Sequence, residues 1–332
     1  MPIYLDPWNP EFSSSLQAEQ PEEGSSPDIR LDVESIEWKA VKPELIPADF
    51  IFVDGVRRVE SRVIYQNGKL FYGVFGSAAA GGIWMKKAQL NLTQNSLVKS
   101  LVRRYLITGG GILPFDHEIS MKGLNFLPVS IPDEDHDSPV QKLQQLMRDQ
   151  EGEVIHELAE KNLDSLLIAD GPLHFPWAKK NPVLGYIKSF HEWYLPAPYL
   201  GLLTELRVSE RTPIFLISGQ TSRFPDRFSW FVRLSKPGSG DSPLSGLARL
   251  ETSCDFGLEK AHLLANSSCL LSFYGASRER DPRSPQNLLP IGILEGQLKH
   301  LLGDSGIVKR SIHSWIFISA QKSPSAATHS AI

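Results

Sequence analysis

The sequence predicts an α/β fold, a mixed β-sheet with helices on its faces. Three observations carry this. Apolar strand-like runs joined by a hairpin signal open the ordered chain, and a long amphipathic helix follows at 138–161. Beyond it, short continuous apolar runs alternate with helical patterns. Continuous apolar runs of this length suit strands buried on both faces.

The first run, ADFIFVDG at 48–55, closes on Asp54-Gly55. VRRVESRVIYQNGKLFYGVFG follows, β-branched and aromatic on both sides of Asn67-Gly68. Asn-Gly between such runs is a strong hairpin signal, so three adjacent antiparallel strands are expected. At 138–161, Ser138-Pro139 resembles an N-cap and first-turn pair. Val140, Leu143, Met147, Val154 and Leu158 then fall on one helical face. DSLLIADGPL is a buried strand ending in a second Asp-Gly, at Asp170. PVLGYIKS, TPIFLIS and RFSWFVRL read as strands, while GLEKAHLLANSSCLLSFYG and LLPIGILEGQLKHLLGD read as helices.

The chain has 332 residues, enough for a sizeable core. Apolar residues make up 41% and charged residues 22%, which excludes a wholly disordered chain or a coiled coil. With 34 Lys+Arg against 38 Asp+Glu the net charge is -4, so any nucleic-acid contact must use a local basic patch. Only Cys254 and Cys269 occur, too few for a disulfide framework. The start lacks the features of a signal peptide, and no apolar run is long enough to span a membrane. A cytoplasmic protein away from the membrane is the expectation. Ser-, Pro- and Glu-rich sequence suggests a mobile arm over 1–42, ahead of one domain at 43–320 and a disordered tail at 321–332.

Two apolar strands thus end alike, at Asp54 and Asp170. A turn-starting Asp-Gly is the plain reading of each one singly. The helix adds Glu151, which fills the gap in the apolar stripe between Met147 and Val154. A charge there must be paired or must bind a metal, since burying it alone is costly; an ion pair to Arg148 or to a strand arginine is the plainer account. Together the three acids make an oxygen-rich set suited to Mg²⁺ or Mn²⁺ rather than zinc. Such ions orient a phosphodiester and activate a water for its hydrolysis. The order of strand, hairpin, helix with Glu and strand with Asp is that of ribonuclease H-like nucleases.

These residues also resemble the NurA nuclease family, in particular its bacterial branch. FVDGVRRVESRV is similar to the family's first motif, LIADGPL to its later Asp-Gly motif, and Glu151 stands where the family has a helical Glu. GLEKAHLLAN resembles a C-terminal helix motif holding Ala261-His262, and DPRSPQNLLPIGILEGQLKHLLGD the closing segment. The likeness covers about 43–310. Where many members have Asp-Gly-Ser, this chain has Asp54-Gly55-Val56. The resemblance implies a ribonuclease H-like fold and hydrolysis of DNA that depends on a divalent metal, usually manganese. It also implies a homodimer working beside a hexameric HerA-type ATPase in DNA end resection and repair. Asp54, Glu151 and Asp170 would be the catalytic metal ligands, with His262 as a further catalytic residue. A non-catalytic scaffold or DNA-binding partner of the translocase is the rival reading.

Arg57, Arg58 and Arg62, just after Asp54, and Lys188, after an apolar run, are candidate contacts for DNA phosphates; a solvated charged face is the plainer reading. Arg103 and Arg104 add to that set. Trp177, Trp193 and Tyr194 are candidates for stacking on unpaired bases, though aromatics more often fill cores. No Gly-Lys-Ser/Thr follows the GGG at 109–111, so an ATPase activity of the chain itself is not expected.

Overall fold

Residues 73–82 read GVFGSAAAGG, and this lack of bulk lets helices approach a strand closely from both sides. In a computed structural model of the chain, the segment lies on a long strand well inside a mixed sheet. The structure describes residues 3–5, 28–45, 48–86, 96–113, 117–161, 165–173, 178, 181–188, 194–219, 225–237, 242–275 and 286–322.

The first described elements are β1 (Ile3–Leu5), β2 (Ile29–Arg30), β3 (Phe50–Asn67), β4 (Lys69–Met85), β5 (Leu97–Thr108), β6 (Ile119–Met121) and β7 (Leu124–Ser130). Helix α1 (Ser138–Lys161) follows, then β8 (Leu166–Asp170), β9 (Val183–Ile187) and α2 (Gly201–Glu205). The chain continues through β10 (Phe215–Ile217), β11 (Arg227–Arg233), β12 (Leu247–Ser253), α3 (Gly257–Ser268), α4 (Leu289–Leu301) and α5 (Ser305–Lys322). The strands form one sheet in the order β2-β10-β11-β12-β9-β8-β3-β4-β5-β7-β6, and β1 pairs with the far part of β3. β8 is parallel to β3 and to β9, and β7 is parallel to β5.

Helix α1 covers one face. Its Leu143 and Met147 pack with Val59, Val74 and Ala78, and its Val154 and Leu158 with Ile51, Val53 and Ala80. The approach needs glycine beneath it: a Cβ on Gly76 would stand 2.5 Å from Leu143 Cδ2, and one on Gly82 2.5 Å from Leu158 Cδ1. Helices α3 and α4 cover the opposite face, where Phe50, Phe52, Val56, Ala79 and Ile83 share a core with Leu264, Leu294 and Leu298. Helix α5 closes that face farther along, over Val63, Tyr65, Phe75 and Phe126.

The helix expected at 138–161 and the hairpin at Asn67-Gly68 are both present, with Gly68 at a φ of +75°. The opening meander differs. ADFIFVDG and the run after it are a single strand of 18 residues, so Asp54 lies inside β3 and not at its end. The third strand of the meander is β5, which carries Arg103 and Arg104. Part of the region drawn as an arm over 1–42 packs on the domain. Ile29–Arg30 pair with Ile217–Leu216, Val41 bridges Arg211, and Ile3–Leu5 pair with Tyr65–Val63. Helix α5 runs to Lys322, past the boundary drawn at 320. Trp177, Trp193, residues 6–27 and 323–332 lie outside the described residues.

Candidate metal centre

β3 and β8 run parallel in the register Phe50↔Leu166 to Val53↔Ala169. The strings FIFVDG and LLIADG are therefore aligned residue for residue, and Asp54 stands level with Asp170. Side chains two apart on a strand share a face. Both aspartates thus follow Phe52 and Ile168 onto the side covered by α4. β8 stops at Asp170, and Gly171, still bridged to Tyr186 of β9, turns at a φ of +96°, a conformation glycine adopts without strain. β3 runs on without this neighbour, and the two carboxylates meet at the step so formed.

Helix α4 brings a third acid. Ile291, Leu294 and Leu298 form its buried stripe, and Glu295 projects from the stripe's edge. One oxygen each from Asp54, Asp170 and Glu295 lies within 4.8 Å of the others. Two arginines from the sheet hold the helix's C-terminal end. Arg58 donates to the carbonyls of Gly303 and Leu302 at 2.9 and 3.2 Å, and Arg104 donates to that of Leu302 at 3.1 Å. Carbonyls at a helix end lack partners within the helix, and cations there also suit its dipole. Arg58 is itself set by the fully buried Glu60, 2.9 Å away, which also accepts from Ser77 Oγ at 2.6 Å.

Burial, and then the neighbouring charges of Asp170, Glu151 and Glu295, hold the Asp54 carboxyl well above its usual pKa. The Gly55 N–H donates to Asp54 Oδ1 at 2.8 Å, yet Oδ2 is buried without a hydrogen-bond partner. A carboxylate oxygen so placed, among other acids, suits a cation as its missing partner. The donors are all oxygen, which fits Mg²⁺ or Mn²⁺. Lys188, just beyond β9, donates to Asp170 Oδ2 at 2.6 Å. The lysine expected at phosphate thus borders the acidic set.

Glu151 lies outside the set that shares the 4.8 Å limit. It approaches from the α1 side, so close to β3 that a Cβ on Gly55 would stand 2.5 Å from its Oε1. Burial, reinforced by Asp170 and opposed by Arg148, pushes its pKa up to about 8. His262 Nε2 is 2.9 Å from Glu34 Oε1, and His262 is not in the acidic set. Glu34 in turn holds the fully buried Arg211 through both its oxygens, so the histidine belongs to the contact that fastens residues 28–41 to the domain. The arginines proposed for DNA are engaged within the fold. Arg57 Nε bonds Gln144 at 2.6 Å, Arg58 holds α4, Arg62 is buried against Asp137 at 3.2 Å, and Arg103 pairs with Glu153 at 2.6 Å. The ring of Tyr194 lies under the guanidinium groups of Arg249 and Arg227, at 4.9 and 5.7 Å.

Glu295 was not singled out from the sequence. The signal that marked Glu151, an acid among the apolar positions of a helix, is also present around 295, flanked by Ile291, Leu294 and Leu298.

No family model matches the chain, and no curated protein sequence matches it. Among solved structures it is similar to the crystal structure of the NurA nuclease from Sulfolobus solfataricus. The identity is 10% and the TM-score 0.42, over 79% of this chain and 81% of that one. A likeness at that level assigns neither a reaction nor site residues. Among the described residues no helix is long and apolar enough to cross a membrane.

Proposed function

We propose that the chain is a divalent-metal-dependent nuclease that hydrolyses phosphodiester bonds of DNA. The observation that carries this reading is the convergence of Asp54, Asp170 and Glu295, with a buried oxygen of Asp54 left without a protein partner. Three acids brought together in a protein repel one another unless a cation or protons intervene. All-oxygen donor sets of this kind serve phosphoryl transfer with Mg²⁺ or Mn²⁺.

When bound, the metal lowers the pKa of a water and neutralises charge that develops on the phosphate. This chain's own residues supply the rest. Asp54 and Asp170, fixed by the parallel register, hold two positions that the backbone sets. Glu295 closes the set from α4, and Arg58 and Arg104 keep that helix in place. Glu151 stands behind β3 on the α1 side, where burial raises its pKa to about 8.

A ribonuclease H-like core is our reading of the strand order β5-β4-β3-β8-β9. In it an antiparallel meander is followed by helix α1 and then by β8, parallel to the first meander strand. The sequence resemblance to NurA nucleases supports the same reading, and with it DNA end resection by a homodimer beside a hexameric HerA-type ATPase. Labelled single- and double-stranded DNA, incubated with the chain and Mn²⁺, Mg²⁺ or EDTA, tests the activity. Cleavage with metal that EDTA stops is expected. Equal product with and without EDTA, or none with either ion, would defeat the proposal.

A further inference from the structure

Two lysines reach the acidic set from its rim. Lys188 Nζ lies 2.6 Å from Asp170 Oδ2, and Lys299 Nζ lies 3.1 Å from Glu295 Oε2. Lys188 is the first residue after β9, on the same face as Tyr186, which is itself level with Asp170. Its side chain is 25% exposed, so it borders both the acids and the solvent. Lys299 lies one turn beyond Glu295 in the last turn of α4 and is 64% exposed.

We infer that Lys188 and Lys299 are the grip on substrate phosphates at this centre, Lys188 on the phosphodiester that is cut and Lys299 on a neighbouring one. The inference rests on the nuclease reading above. Three carboxylates carry three negative charges and a divalent cation cancels two, so a site with one metal would still repel an anionic phosphodiester. Lys188 brings the set to neutrality, and Lys299 makes it attractive.

The other cations near the site are held within the fold. Arg57, Arg58, Arg62 and Arg103, which lie on the strands around Asp54, bind Gln144, the end of α4, Asp137 and Glu153. Freeing any of them would break an internal contact. The lysines differ. An exposed Lys–carboxylate pair is worth about 0–1 kcal/mol, so Lys299 exchanges its glutamate for a phosphate at little cost. Lysine also binds phosphate as a mobile point charge on a flexible stem, with no fixed geometry to satisfy.

The plainer account is that each lysine only balances its own acid. Four proteins separate the two: wild type, Lys188→Met, Lys188→Arg and Lys299→Met. Three readouts are needed. Mn²⁺ affinity is measured by electron paramagnetic resonance without DNA. The salt dependence of single-stranded DNA binding is measured with Ca²⁺ in place of Mn²⁺. Single-turnover cleavage is measured with saturating Mn²⁺. We expect Lys188→Met to keep its Mn²⁺ affinity while cleavage slows about 100-fold, the usual loss for one donor to a reacting group. Lys188→Arg recovers part of the rate. Each Met variant lowers the salt slope by about 0.7, one phosphate contact on a single strand. If wild type cleaves while both Met variants match it in rate and slope, the grip is overturned and the nuclease reading survives. Loss of Mn²⁺ binding in Lys188→Met would make Lys188 a support for the acids and also overturn it. If wild type cleaves under no ion, the nuclease reading falls and the grip with it.

Discussion

Asp54 and Glu151 carry carboxyl groups that the fold disfavours as anions, and this has a measurable sign. The folded pKa of Glu151 is about 8 against an ordinary 4.5. Between those values the folded chain holds a proton that the unfolded chain has released, so stability falls as pH rises through this window and levels off above it. The raised pKa of Asp54 acts in the same direction. Glu34 and Glu251 have lowered pKa values, held down by Arg211 and by Arg249 and Arg227 against the effect of burial. Their contribution is lost only below about 4.5, outside the window. The melting temperature of the EDTA-treated protein should therefore fall between about pH 5 and 8, and Glu151→Gln should flatten part of that fall. A melting temperature that rises across the range would contradict the placement of both acids. The same residues show what a sequence can disclose. Asp54 and Asp170 were legible because one string, apolar residues then Asp-Gly, occurs twice and the parallel register stacks the two copies. Lys188 was visible as a cation, but its contact with Asp170 depends on β9 lying beside β8, which no local pattern states. His262 sat in a motif-like phrase, and its partner Glu34 comes from a segment that composition marked as an arm.

At the scale of elements, α4 is positioned by charges buried in the sheet. Glu60 is fully buried, occupies the register shift between Val59 and Ser61, and orients Arg58 toward the end of the helix. Removing one member of a buried ion pair leaves an uncompensated charge and typically costs about 3–5 kcal/mol. Arg58→Met should lower stability by about 3 kcal/mol in urea denaturation and weaken Mn²⁺ binding through Glu295. Stability unchanged within about 0.5 kcal/mol, as for an ordinary surface substitution, would show that Arg58 does not carry the helix. α1 was readable to its ends because its apolar residues keep a single face and Ser138-Pro139 opens it. α5 was not read, because apolar residues surround it: Val308, Ile312 and Ile316 are buried, while Ile307, Phe317 and Ile318 are exposed. β3 was split in two at Asp54-Gly55, since Asp-Gly is usually a turn. Here the glycine serves close packing, and a Cβ on it would also stand 3.0 Å from Met147 Cγ.

For the whole molecule, the mixed sheet places the end of β8 beneath α4, and residues far apart in sequence meet there. The fold class was legible because alternating strand and helix patterns constrain a chain strongly. The strand order was not, since it depends on pairings between distant segments such as β2 with β10. The proposed homodimer is checked by light scattering, which should give twice the 37.0 kDa of the chain; a mass of one chain would contradict it. The central claim is that Asp54, Asp170 and Glu295 share a divalent cation. The most direct test is a crystal soaked in Mn²⁺ and measured at a wavelength where manganese scatters anomalously. The account predicts an anomalous peak about 2.1 Å from one oxygen of each of the three carboxylates, close to the distance typical of small oxygen-bound divalent ions. No peak at this position, or a peak ligated by Glu151 with Glu295 turned away, would contradict it.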